Sequence, residues 1–219
     1  MLLFGICILA FWPVYFSKLA QTRFMIHLHS LLGMIWIVML FVQSWLARKR
    51  SYKAHRSIGR VSYGIVFLFV ITAFMLFHNF LNTHNPFTEA FGARIFLYDF
   101  TGIVFLSLAY LFAVTIYKKK SKIHSRLMIS TIILMSFPII SRLFLFYGDF
   151  GLTTGQSLEL SIYILDFTVL AMIIYEKMKG KIYPIYPILL IYMVFQHIGY
   201  VYSDKWDGLQ FFMSWYAGL

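Results

Sequence analysis

"RFMIHLHSLLGMIWIVMLFVQSWL", residues 23–46, is the stretch that decides the fold. Residues 24–46 contain no Lys, Arg, Asp or Glu. At about 1.5 Å of rise per residue, a helix of this length covers the roughly 30 Å hydrocarbon core of a bilayer. Two histidines, His27 and His29, stand just inside the apolar run. Their spacing has two readings. In a regular helix, residues two apart point about 200° from each other, so only one can face a common centre. In an extended segment both share a face. A metal site using both histidines therefore requires non-helical backbone at 27–29, whereas a haem requires only one of them.

The rest of the chain repeats this pattern. Of 219 residues, 61% are hydrophobic, 20% aromatic and only 12% charged, and the mean hydropathy is +0.77. Soluble domains carry about 25% charged residues, so lipid is the expected solvent. The expectation is an all-α integral membrane bundle of seven transmembrane helices forming one domain over residues 1–219. The expected spans are Leu2–Ala20, Phe24–Leu46, Ile58–Leu81, Ala93–Tyr117, His124–Tyr147, Ser157–Glu176 and Ile182–Tyr202. The connections are short, "NTHNPFTEAFG" being the longest outward one, and no stretch reads as a soluble domain. The tail "DKWDGLQFFMSWYAGL" is too short to span, and its Trp206, Trp215 and Tyr216 suit an interfacial segment. The first span lacks a basic leader and a small-residue cleavage site, which argues against a cleaved signal peptide.

The net charge of +11 does not indicate a nucleic-acid partner, because the cations alternate between connections. Fourteen of the nineteen Lys and Arg fall in connections 2–3 (Arg48, Lys49, Arg50, Lys53, Arg56, Arg60), 4–5 (Lys118, Lys119, Lys120, Lys122, Arg126) and 6–7 (Lys177, Lys179, Lys181). The positive-inside rule then places the N-terminus in the cytoplasm and the C-terminus outside, as expected for a multi-pass protein of the bacterial inner membrane. Cys7 is the only cysteine, so neither an intramolecular disulfide nor a thiolate cluster is available.

This topology brings costly residues to one depth. His27, His29, His78, Asp99, Arg142, His197 and, somewhat deeper, Asp166 fall in the outer half of their spans. A charge at the bilayer centre costs about 2.5–3.5 kcal/mol even on the lenient insertion scale and normally faces the bundle interior or water. One reading makes Arg142 the ion-pair partner of Asp99 or Asp166, with the histidines as interhelical glue. The other is an outward-opening cavity that binds a ligand, a metal or a haem. His27, His29, Asp99 and Asp166 are candidate ligands of zinc or iron, and His27, His29, His78 and His197 are candidate ligands of a b-type haem.

On the cytoplasmic side "KAHRSIGR" and "KIHSRLM" repeat a basic run, a histidine and an arginine. His55, Arg56, His124 and Arg126 can meet anionic lipid headgroups or form a small anion site. Pro138 is expected to kink the fifth span beside Arg142. No phosphate-binding loop, nucleophile elbow or HExxH motif is present in the sequence.

At "HRSIGRVSY", "HSRLMIS" and "PIISRL" the chain resembles an uncharacterised bacterial family of multi-pass proteins known only as predicted membrane proteins. Its members show an early span histidine, an HRxxGR-like opening of the next span, and an HxRxM-like opening of a later span followed by a buried arginine. Here these are His27 or His29; His55, Arg56, Gly59 and Arg60; His124, Arg126 and Met128; and Arg142. Leu127 stands where that family has tryptophan. The resemblance covers residues 24 to 147 and implies an architecture, not a reaction.

Four functions remain open: a metal, haem or small-ligand binder acting as a redox or hydrolytic enzyme; a b-type haem electron carrier; a non-enzymatic accessory or assembly subunit of a membrane complex; and a transporter. A zinc-water hydrolase would be similar in outline to the seven-helix alkaline ceramidase-like enzymes, by analogy alone.

Overall fold

Hydrophobic length sets the helices of the computed structural model, which describes residues 2–148 and 151–219. The α-helices are α1 (Leu2–Phe11), α2 (Phe24–Arg48), α3 (Tyr52–Leu81), α4 (Pro86–Val114), α5 (Ser121–Tyr147), α6 (Thr154–Met178), α7 (Ile185–Tyr202) and α8 (Asp207–Ala217), with short 3-10 turns at Phe16–Gln21 and Ser203–Lys205. Six helices among the described residues, α2 to α7, are long and apolar enough to cross a membrane.

The first expected span, Leu2–Ala20, is not one helix. α1 ends at Phe11 after about 15 Å of rise, half the hydrocarbon thickness. Pro13 has no N–H to donate and disfavours helical backbone at Trp12. The chain turns there, and the Ser17 hydroxyl donates to the Pro13 carbonyl at 3.1 Å.

Several other boundaries extend beyond the apolar runs. α4 begins at Pro86, inside the stretch expected to be a loop. The Asn85 side chain accepts from the Phe87 and Thr88 amides at 3.0 Å, and Thr88 Oγ1 accepts from the Asn85 amide at 3.1 Å. With Pro86 as the first helical residue, this is a capping box. Thr153 and Gln156 cap α6 in the same way.

The chain divides into two compact units, Met1–Leu76 and Phe77–Leu219, with α3 running through the boundary. In the first unit, α2 buries Leu32, Trp36, Met39 and Leu46, and α3 buries Ser62, Val66, Phe69 and Ala73. Both sets recur at three- and four-residue steps, so each helix buries a single stripe.

In the second unit α4, α5, α6 and α7 pack against one another. Their core contains Tyr98, Phe137, Ile162, Leu165, Val169, Leu189, Met193 and Tyr200. Without a hydrophobic drive between helices in lipid, close approach depends on small residues. Ala109 and Ala113 of α4 meet Leu127 of α5. A Cβ on Gly199 of α7 would come within 2.5 Å of Leu97 Cδ2, so α4 and α7 touch through that glycine. α8 lies on α4 through Leu209, Phe212 and Tyr216 against Phe96 and Phe100, while Phe211 and Trp215 stay exposed. Such a two-faced short helix suits an interface.

Candidate polar site between α6 and α7

α6 and α7 bring together the one histidine–carboxylate pair among the described residues. His197 Nδ1 lies 3.1 Å from Asp166 Oδ2, with both side chains about 15% exposed (15% and 16%). A carboxylate accepts, so Nδ1 carries the proton and donates, which leaves Nε2 as the ring's other polar atom. Tyr163 meets the imidazole edge-on at 4.5 Å between ring centres. The second carboxylate oxygen, Asp166 Oδ1, is buried and has no protein hydrogen-bond partner. One residue before His197, Gln196 donates through Nε2 to the Tyr98 carbonyl at 2.8 Å and to Thr101 Oγ1 at 3.0 Å. Its Oε1 is likewise buried and unpartnered. Two orphaned acceptors thus accompany consecutive residues of α7, where buried acceptors are normally satisfied.

Asp99 and Arg142 also belong to this unit, on α4 and α5. Each lies within the other's electrostatic field. Arg142 Nη1 donates to the Pro138 carbonyl at 2.8 Å, so the guanidinium folds back along its own helix toward the proline. Of the two acids expected to balance Arg142, Asp99 is the one whose charge acts on it, while Asp166 is engaged by His197. Near the start of α4, Arg94 Nε and Nη2 both bond Asp204 Oδ2, at 2.8 and 2.6 Å. His78, at the end of α3, lies 3.4 Å from the Asn82 amide nitrogen and meets Tyr216 of α8 edge-on at 6.2 Å.

In the first unit, residues 27–29 are helical, so the two histidines serve different neighbours. His27 Nδ1 and the Tyr15 hydroxyl are 3.0 Å apart. His29 Nδ1 lies 3.0 Å from Thr72 Oγ1, and its ring stacks on Phe69 at 4.4 Å. The Thr72 proton goes to the Phe69 carbonyl at 2.9 Å, so His29 Nδ1 is the donor. The non-helical backbone that joint ligation by both residues requires is not what forms. Among the described residues, no three His, Cys, Asp or Glu side chains converge on a point where they could hold a metal ion.

The residues of the basic connections pair up within the helical hairpins. His55 Nδ1 donates to the Gln43 carbonyl at 3.3 Å, and Gln43 Nε2 returns a bond to the His55 carbonyl at 3.0 Å. His124 Nδ1 donates to the Ala113 carbonyl at 2.9 Å. In both hairpins a histidine in the first turn of the second helix bonds a main-chain carbonyl of the first; Ala113 lies in the last turn of α4, where helix geometry leaves carbonyls unpaired. Arg56 is exposed and donates to the Tyr52 carbonyl at 3.3 Å. Arg126 Nε binds Glu176 Oε1, and the guanidinium lies 3.8 Å from the Tyr183 ring centre. Glu176, only 4% exposed, also accepts from the Tyr183 amide at 2.9 Å.

The sequence reading has Glu176 only as the end of the sixth expected span and gives no role to Gln196 or Arg94. A glutamine next to an intramembrane histidine was the available signal for Gln196. For Glu176, the signal was an acid among basic neighbours. No family model, curated protein or solved structure matches this chain.

Proposed function

We propose that this chain is a multi-pass protein of the bacterial inner membrane that binds a small ligand in its outer half, with Asp166 and His197 as the centre of the site. The basic connections α2–α3, α4–α5 and α6–α7 face the cytoplasm and α8 lies at the outer surface. With the N-terminus inside, residues 2–20 cross as a broken element, helical to Phe11 and turned at Pro13. The exposed cations Arg48, Lys49, Arg50 and Arg56 meet anionic headgroups, whereas Arg126 is already engaged by Glu176.

The observation that carries the reading is the imidazole–carboxylate pair with a buried acceptor left over. A carboxylate on Nδ1 fixes the tautomer and the ring orientation, the arrangement that turns Nε2 of a histidine toward a ligand or a haem iron. His197 could supply one axial imidazole. A zinc or iron centre needs a larger donor set than the described residues assemble, so a small ligand is the better fit. Purified protein in nanodiscs should carry a bound compound, or a Soret band if the ligand is haem, and His197→Ala and Asp166→Asn should lose it. Identical ligand content in wild type and both variants, by absorbance, metal analysis and native mass spectrometry, would refute this.

A second reading is an accessory subunit of a membrane complex. It is supported by polar residues that bond neighbouring helices: His29 to Thr72, and Gln196 to Tyr98 and Thr101. Co-purification of a stoichiometric membrane partner from the native host, retained in His197→Ala, would favour it.

A further inference from the structure

The side of α7 that passes His197 is apolar and open. Ile191, Val194, Phe195, Ile198, Val201 and Tyr202 are 45–71% exposed there, on a helix of membrane-spanning length. Val194, His197, Ile198, Val201 and Tyr202 line a shallow groove of about 320 Å³ in this face. That volume is at the lower end for small-molecule sites, roughly 300–1,000 Å³. His197 is the only ionisable lining residue apart from the Tyr202 phenol.

We infer that this groove binds the ring of a lipid-soluble quinone or quinol, with His197 Nε2 as its hydrogen-bond partner. The inference rests on the reading of Asp166 and His197 as a ligand site and names the class of ligand.

The chemistry narrows the occupant stepwise. A groove on the lipid-facing side of a span is reached from the hydrocarbon, so its ligand is mostly apolar. A phospholipid headgroup calls for Lys or Arg, and none lines the groove. An acyl chain makes no use of an imidazole. A quinone ring matches both features: flat apolar faces for Val194, Ile198, Val201 and the Tyr202 ring, and oxygens at its edge. With Nδ1–H held by Asp166, the neutral imidazole accepts at Nε2 from a quinol hydroxyl, and the imidazolium donates there to a quinone carbonyl. The same nitrogen accepts from one redox state and donates to the other, so one residue can recognise both without moving.

The test is saturable binding of decylubiquinone to the full chain in nanodiscs, measured by equilibrium dialysis against protein-free nanodiscs. Wild type should bind, and His197→Ala and Val201→Trp should each weaken binding tenfold or more. Val201 is 46% exposed and lines the groove, so Val201→Trp fills the groove without entering the core and decides the matter if His197→Ala does not fold. No saturable binding by wild type, or unchanged binding in Val201→Trp, overturns the inference. If wild type takes no quinone yet carries another ligand that His197→Ala loses, the quinone assignment fails and the ligand site stands. If His197→Ala folds and changes neither, both fall.

Discussion

Removing Glu176 should unlatch the end of the bundle at which α6 meets α5 and the start of α7. Its carboxylate ties three helical elements: Oε1 receives Arg126 of α5, and Oε2 receives the amide of Tyr183, just before α7, while Glu176 itself belongs to α6. The side chains are 5% and 18% exposed for Glu176 and Arg126, so the pair is shielded but not sealed. Deleting one member of a buried pair costs about 3–5 kcal/mol. Arg126 keeps its bond to the Lys122 carbonyl at 2.6 Å and its place over Tyr183, which puts Glu176→Ala at the lower end, about 3 kcal/mol. Glu176→Gln keeps an acceptor for the Tyr183 amide and should cost about 1–2 kcal/mol, the difference between a charged and a neutral hydrogen bond. At about 2–4 °C per kcal/mol for a chain of this size, Glu176→Ala should lower the unfolding temperature in mild detergent by about 6–12 °C. Replacing both partners by apolar residues of similar volume, Arg126→Met with Glu176→Leu, should recover most of the loss, because no charge is then stranded. Additivity of the two single changes within about 0.5 kcal/mol would refute the latch.

Cysteines placed at Ser121 and Thr154 should label from opposite faces, Ser121 from the cytoplasm and Thr154 from outside, and labelling of both from one face would overturn the topology. A reporter on the N-terminus should read cytoplasmic if residues 2–20 cross as a broken element, and external activity would reduce the count to six spans. Arg142→Leu should destabilise the protein by about 3 kcal/mol by stranding Asp99, and adding Asp99→Asn should restore part of that, whereas strict additivity in unfolding measurements would dissociate the two residues. Gly199→Leu should cost about 1–3 kcal/mol by forcing α7 away from Leu97, and an unchanged unfolding temperature would remove that close approach from the account.

The spans α2 to α7 are legible in the sequence because hydrocarbon thickness imposes a minimum apolar length, and a length is a local property of the chain. The caps are legible for the same reason. "NPFT" at 85–88 writes the start of α4, although the polarity of the segment reads as a loop when the capping pattern is passed over. Pro13 is a local signal too, and it breaks a run that apolar content alone makes continuous. The helical geometry behind "HLH" holds: helix phase sends His27 and His29 to separate partners.

Which partners those are is a tertiary fact. Thr72 is 43 residues from His29, Asp166 is 31 from His197, and Glu176 is 50 from Arg126. Similar depth, read from helical rise, leaves both Asp99 and Asp166 as candidates for Arg142. Depth fixes one coordinate of a helical residue and leaves its azimuth and its neighbours open. Helix packing supplies both, through contacts as specific as Gly199 against Leu97. It turns Asp166 to His197 on the adjacent helix and sets Asp99 and Arg142 in each other's electrostatic field, because packing decides which neighbours a charge in a low-dielectric bundle has.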